Sequence, residues 1–425
     1  MKITSVTARQ LLDTKTRPLV EVEVRTDTGH VGRGAAPTGS SVGAHEAFIL
    51  RDGNPEEYDG LSVHHAVASV TDHIAPVLVG ADLDVRALDE RMIELDGTSD
   101  KSKLGGNAIY STSIALLRAS AAAAGTPTYS HVAEMLSLPS VTTVPVPSFN
   151  MINGGRYGDL VQAFNEFLVI PYRAESIESA IEQSVKVFKV VEEVLTDKLG
   201  RRPQVASSYG YAAPSADPRE VLQILSEAVE RTGYADTMAF ALDCASSEMY
   251  DKKTETYELN GERVESAELI DYTRQLSEEF PLVFVEDLLD EDDWDGYSKA
   301  VTEIPKTVIL GDDLIVTNRD RLERAVAMSA VDGFILKPNQ VGTITEALDC
   351  FTFGREHGLL AIPSGRSGGV IDDVVMDLSV GLGVPFQKNG APRSGERIEK
   401  LNFLLRIADA VPNCALADVP GLVKF

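Results

Sequence analysis

The chain is short of cysteine, of basic residues and of long apolar runs, and each shortage excludes a class of protein. Three cysteines, Cys244, Cys350 and Cys414, are scattered through 425 residues with no CxxC pair. Neither a disulfide framework nor a thiolate zinc site is indicated. Lysine and arginine total 39 against 65 aspartate and glutamate, a formal net charge of −26. That balance argues against nucleic acid and anionic membrane as partners. It also requires any anionic substrate to be captured at a locally positive site. No apolar run reaches the length of a membrane span, and the opening MKITSVTARQ has no apolar signal core. A soluble, cytoplasmic protein is expected. The seven histidines (His30, His45, His64, His65, His73, His131 and His357) form no HExxH. None falls at a predicted strand end, so a zinc hydrolase or a Ser-His-Asp triad is not supported. His45 is expected to be a surface loop residue. A GxGxxG-type phosphate loop is missing as well, since KLGGNA lacks its spacing.

What is present is a large apolar complement, 44% of 425 residues, enough to bury a large core, and the length suggests two domains or one domain plus a barrel. From Ala241 to Gln340, ALDCASSEMY, FVEDLLDEDDW, ILGDDLIVTN and FILKPNQVGT follow one another at similar intervals. Each begins as a short apolar run and halts at a charged residue: Asp243, Glu286, Asp312 and Lys337. Such runs, alternating with helical stretches, read as buried parallel strands. In a (β/α)8 barrel the strand C-termini converge on one face, so these four residues share a mouth. Three carboxylates there need a cation between them, and hard oxygens suit Mg²⁺ better than zinc. A lysine beside a dication has a depressed pKa and can act as a base. The acids after Glu286, as far as Asp293, read as a solvated loop and helix N-terminus.

Taken in order, Lys2–Ala8, Val20–Thr26 and His30–Ala35 alternate as a small antiparallel sheet, with a hairpin turn at TDTGH. PTGSSVGAHEA (Pro37–Ala47), too rich in Gly and Ser to be an element, reads either as an ordinary flexible connection or as a mobile lid. Helical periodicity runs from Val63 to Leu136 in four pieces, broken near Gly80, Gly97 and Pro127. The Ala-rich piece Ser111–Ala124 suits close packing. Pro139–Pro147 is a proline-rich connector, placing the domain boundary there. Ser176–Leu199, Glu220–Thr232, Ala267–Glu279, Asp320–Met328, Ile344–His357 and Ile371–Leu382 read as outer helices of the barrel.

VEDLLDEDDW, GDDLIVTN and KPNQVGT closely resemble the enolase family, as do ARQLLDTKTRPLVEVEV, PTGSSVGAHEA, IELDGTSDKSKLGGNA, QKNGAP and KLNFLLRI. The resemblance runs in order over essentially the whole chain. It implies an α/β protein with a small α+β N-terminal domain, residues 1–139, followed by an enolase-type (β/α)8 TIM barrel, residues 140–425. It further implies that Asp243, Glu286 and Asp312 hold a first Mg²⁺. Ser41 in the lid would reach a second, substrate-assisted Mg²⁺. Lys337 matches the family's base, which takes a proton from C2 of 2-phosphoglycerate before the C3 hydroxyl leaves. Lys388 matches the lysine that neutralises the substrate carboxylate. Arg366 and Ser367, in PSGRSGG, match the phosphate clamp. A small phosphorylated acid is the implied ligand, and a homodimer the implied assembly.

Several positions depart from the family pattern. Where the family reads GDEGGFAP this chain reads SSYGYAAP, with Tyr209 in place of the acid that helps the hydroxyl leave. INGGRYGDL puts Tyr157 where a histidine is usual, and SGRSGG puts Gly365 where SHRSGE has its histidine. The family's QEF becomes Asn165-Glu166-Phe167, keeping Glu166 alone. A phenol stays protonated near pH 7, whereas a carboxyl can cycle its proton. The changes therefore point to a Mg²⁺-dependent enzyme of phosphoenolpyruvate or 2-phosphoglycerate with a rebuilt leaving-group side. It resembles carboxyphosphonoenolpyruvate synthase of phosphinate natural-product biosynthesis. On that reading Tyr157 and Tyr209 line the site for a second, phosphonate-type substrate, and Gly365 opens volume for it. A true enolase relying on Glu166 for elimination, and a non-catalytic binding protein, are the alternatives.

Overall fold

The structure is a computed structural model and describes residues 1–39, 43–155 and 162–425. The chain opens with strands β1 (Ile3–Leu12), β2 (Pro18–Thr26) and β3 (Val31–Ala35), an antiparallel meander in the order β1-β2-β3. Alternation along β2 turns Val20, Val22 and Val24 into the small domain's core. A helical run follows, made of His64–Ala68, a π-type segment Ser69–Ile74, and Ala75–Leu78. Helices α1 (Val85–Asp96), α2 (Gly106–Ala124) and α3 (Thr128–Met135) complete the domain. The breaks fall where Gly and Pro predict them. Gly97 and Gly125 close α1 and α2 in the left-handed conformation that glycine adopts freely.

The Ala-rich helix α2 is buried along most of its length and lies against β3. Gly32 and Gly34 permit that approach. A Cβ at either would collide with the backbone of α2, at Ala115 and Ser111 respectively. The packed core then continues without interruption into the barrel, because Tyr110, Ile114, Leu117 and Val132 belong to the same apolar cluster as the barrel residues Phe149, Phe167 and Leu242.

The barrel strands are β4 (Val146–Asn153), β5 (Glu166–Ile170), β6 (Ala239–Asp243), β7 (Leu282–Glu286), β8 (Val308–Gly311), β9 (Gly333–Leu336), β10 (Leu360–Pro363) and β11 (Phe386–Lys388). Each pairs with its neighbour in sequence, β11 pairs with β4, and a single bridge between Ser364 and Lys388 joins β10 to β11. One strand is reversed. β5 runs antiparallel to both β4 and β6, with Glu166 opposite Asp243. The strict β/α alternation read from sequence therefore fails at its start. Among the described residues no α-helix lies between β4 and β5, and two helices, α4 (Ile177–Leu199) and α5 (Pro218–Thr232), separate β5 from β6.

Outside the later strands lie α6 (Ser266–Glu279), α7 (Trp294–Glu303), α8 (Arg319–Met328), α9 (Ile344–Glu356), α10 (Val375–Gly381) and α11 (Gly395–Ala410). The sequence reading missed α7 and α11, and placed the start of α10 four residues early. The Asp373 carboxylate accepts from Val375 N at 3.1 Å, so the helix begins beyond Ile371 and Asp372. Among the described residues no helix is long and apolar enough to cross a membrane.

Candidate active site

The mouth of the barrel is formed where the apolar strand cores end. Asp243, Glu286 and Lys388 are the last residues of β6, β7 and β11, Asp312 follows β8, and Lys337 follows β9. The reversal of β5 brings Glu166, its first residue, to the same rim. All of them except the fully buried Glu286 line one cavity, together with Asn165, Ser208, Asp313, Gly365, Arg366, Ser367, Asn389, Arg397 and Lys400.

Lys388 is the electrostatic centre. Its Nζ lies 2.6 Å from Asp243 Oδ2, 2.6 Å from Glu286 Oε2 and 3.4 Å from Glu166 Oε2. Burial alone would strip the proton from this ammonium, but Asp243, Glu286 and Glu166 outweigh it and hold it well above the ordinary lysine range. Burial pushes the Asp243 and Glu286 carboxyls up despite Lys388. Lys337 Nζ pairs with Asp312 Oδ2, and the other Asp312 oxygen accepts from Gln340 Nε2 at 2.9 Å. Burial opposes the Asp312 charge, yet Lys337 holds that carboxyl below its ordinary range. The same pairing sets the charge of Lys337, whose expected depression concerns a site that holds a dication. Burial pulls it down, but Asp312 and Glu286 raise it above the usual lysine value.

The donor set suits a hard divalent cation. Glu286 is fully buried and its Oε1 has no hydrogen-bond partner, an arrangement that is costly for a carboxylate left as it stands. Its strand lies between those of Asp243 and Asp312. The tightest group of carboxylates at the mouth is nevertheless Asp287, Asp312 and Asp313, which bring one oxygen each within 4.8 Å of one another. The Asp243, Glu286 and Asp312 oxygens are instead engaged by the two lysines. Asp287 overturns the reading of the acids after Glu286 as solvated. It is buried and accepts from the Asp312 and Asp313 amides at 2.8 and 2.9 Å, which fixes the turn that carries Asp312. Asp290 and Glu291 are buried as well, while Asp293 does cap α7. His45, half-exposed, meets Asp292 at 3.1 Å.

Arg366, expected from the resemblance to clamp phosphate, is buried and paired with Glu46, through Nη1 to Oε2 at 2.7 Å and Nη2 to Oε1 at 3.1 Å. A Cβ at Gly39 would collide with this guanidinium, so the lid stretch rests directly on it. Ser367 lines the same cavity. Glu166 accepts from Asn150 Nδ2 at 3.1 Å, and Asn165 turns a buried, unpartnered Oδ1 toward the neighbouring loop at Gly155.

Two expectations for the leaving-group side change. Tyr209 does not join the lining. It has a φ of 70°, its hydroxyl donates to the Thr14 carbonyl at 3.3 Å, and Arg397 covers its ring; Ser208 faces the cavity instead. Gly365 does not open free volume, because a Cβ there would stand 3.0 Å from Lys400 Nζ and 3.4 Å from Asp373 Oδ2. The candidates Ser41 and Tyr157 lie outside the described residues. Sequence reasoning passed over Glu46, Asp313, Asn389, Arg397 and Lys400. Glu46 and Lys400 stood within quoted motifs, PTGSSVGAHEA and KLNFLLRI, and charge inside a motif was the available signal.

Comparison with known proteins agrees with this geometry. The enolase C-terminal TIM barrel domain model matches residues 141–418, and the enolase N-terminal domain model matches residues 3–132. A Methanopyrus kandleri protein named enolase is 41% identical over 429 aligned residues, covering 100% of this chain and 97% of the relative. A Methanococcus aeolicus enolase is 38% identical over 411 residues, covering 96% and 95%.

Proposed function

Because the chain belongs to the enolase family, we propose that it is a Mg²⁺-dependent hydro-lyase that dehydrates 2-phosphoglycerate to phosphoenolpyruvate. This corrects the transfer reaction expected from the altered residues. Relatives matching from end to end at 41% and 38% identity carry the name enolase. The carboxyphosphonoenolpyruvate assignment is overturned, along with its phosphonate co-substrate and its place in antibiotic biosynthesis.

The observation that carries the reading is the convergence of Lys337, Lys388, Glu166 and Arg366 on one carboxylate-lined cavity. In the proposed reaction Arg366 and Ser367 receive the phosphate, the guanidinium exchanging Glu46 for phosphoryl oxygens of similar geometry. Lys388 faces the substrate carboxylate. Lys337 takes the C2 proton, and Glu166 holds the substrate hydroxyl side through the network it shares with Asn150. Asp243, Glu286 and Asp312 would hold a divalent cation, which supplies positive charge where the carboxylate gains enolate character. A second, substrate-assisted cation on Ser41 remains part of the proposal.

The proposed assembly is a homodimer, supported by apolar side chains left exposed on β1 (Leu11, Leu12) and on the barrel (Val205, Ile371, Ile398). The enolase reading is tested by the absorbance of phosphoenolpyruvate formed from 2-phosphoglycerate with Mg²⁺. Steady turnover is expected; phosphoenolpyruvate binding without turnover would overturn it.

A further inference from the structure

Elimination needs a proton donor for the departing oxygen, and most donors around this cavity are already committed. Lys388 bridges Asp243 and Glu286, Arg366 is held by Glu46, and Arg397 is engaged by Ser208 and Glu396. The Tyr209 hydroxyl is spent on Thr14. Glu166 acts as acceptor toward Asn150 and Lys388. Lys400 differs. It rises from α11, is 6% exposed, and lines the cavity, yet among the described residues its Nζ makes no hydrogen bond or ion pair.

A buried ammonium without a partner is unfavourable, and it persists where a ligand supplies the missing contact. A second feature of the same cavity points to a ligand. Asn389 is 1% exposed, and both of its amide atoms lack partners. Gly365 borders the same cavity, and the Lys400 ammonium stands 3.0 Å from where a Cβ at that position would be, so only glycine leaves room for Lys400 there.

We propose that Lys400 is the acid of the dehydration, donating from Nζ into the cavity it lines the proton with which the C3 oxygen leaves. The step rests on the enolase reading. Lys337, acting as the neutral amine, takes the proton as the C2–H bond breaks; the electron pair is held as the enolate and then forms the C2=C3 bond, and Lys337 afterwards returns its proton to solvent. The C3–O bond breaks, its oxygen takes the Lys400 proton, and water departs. Lys400, now a neutral amine, regains a proton from solvent. The charged groups facing Lys400 are Arg397, Asp373, Glu396 and Glu166. Burial and Arg397 pull the ammonium down to about 8, which leaves it protonated near neutrality yet able to give up its proton.

The test follows dehydration and exchange of the C2 hydrogen with solvent deuterium, in the full-length protein with Mg²⁺ and 2-phosphoglycerate. In Lys400→Met, dehydration is expected to fall about 100-fold or more while exchange persists at a similar rate. Lys400→Arg keeps the charge but cannot release a proton, so it should dehydrate as poorly as the Met variant. Circular dichroism checks that each variant folds, and the arginine variant decides the matter if the Met variant does not. Near-normal dehydration in either variant overturns the proposal, as does parallel loss of exchange and dehydration in both. A wild-type protein showing neither exchange nor dehydration instead refutes the enolase reading on which the step depends.

Discussion

Arg366 and Glu46 meet through two hydrogen bonds, at 2.7 and 3.1 Å, with both side chains buried. The fork of the guanidinium matches a carboxylate and a phosphate alike, so Glu46 holds Arg366 in a geometry that also suits the phosphate proposed for it. Lysine offers one point of charge and no fork. Arg366→Lys should raise KM for 2-phosphoglycerate by about tenfold or more, the loss of one charge-assisted pair. Steady-state kinetics with folded variant protein checks this, and an unchanged KM would remove Arg366 from the binding site.

Lys388 supplies the positive charge between Asp243 and Glu286. Its truncation leaves buried carboxylates without a partner. Lys388→Ala should lower stability near pH 7 by about 3 kcal/mol and dehydration by about 1,000-fold. Burial already pushes both carboxyls up, so at acid pH they take protons and the stability difference from wild type should shrink. Urea titrations at pH 5 and pH 7.5 measure it.

The unpartnered Glu286 Oε1 makes a prediction for metal. Chelation should abolish turnover and Mg²⁺ should restore it. Mg²⁺ at about 100 times its Kd should also stabilise the fold by about 2.7 kcal/mol. Thermal melts with and without Mg²⁺ report that increment, which Glu286→Gln should erase.

Asp89, on α1, accepts from Ser113 Oγ at 2.9 Å and from Thr345 N and Oγ1 at 3.1 and 2.7 Å, joining the small domain to α9. Burial, outweighing these donors, raises its carboxyl from 3.8 to about 6. A raised pKa means that the folded state binds the proton more tightly. Stability from this group is full below about pH 4 and is lost as pH rises through 6, to a total of about 3 kcal/mol. Asp89→Asn keeps an acceptor oxygen and removes the charge. Its Tm should exceed that of wild type at pH 7.5 and converge with it near pH 4.

The strand ends were legible because burial and charge change over a single residue there, as at Asp243, Glu286, Asp312 and Lys337. Features set by packing between distant segments were not. Asp287 looks like any loop acid until the next strand's turn supplies two amides to it. Tyr209 occupies a motif position that suggests an inward side chain, but its left-handed backbone turns the ring toward Thr14 and Arg397. Lys400 sits on an outer helix, and its ammonium reaches the cavity beside Gly365, 35 residues earlier in the chain. The reversal of β5 left no mark in a short apolar run, since a strand reads the same in both directions.

Gly32 and Gly34 lie outside the barrel, yet they bear on its roof. By letting β3 sink onto α2 they set the height from which the chain emerges at Ala36, Thr38 and Gly39. Arg17 grips the Thr38 and Gly39 carbonyls, and Gly39 has no clearance above Arg366. Two absent methyl groups thus act as a spacer gauge for the ceiling over the phosphate pocket. Adding one at Gly34 would lift that ceiling from a distance, without touching any residue that meets the substrate.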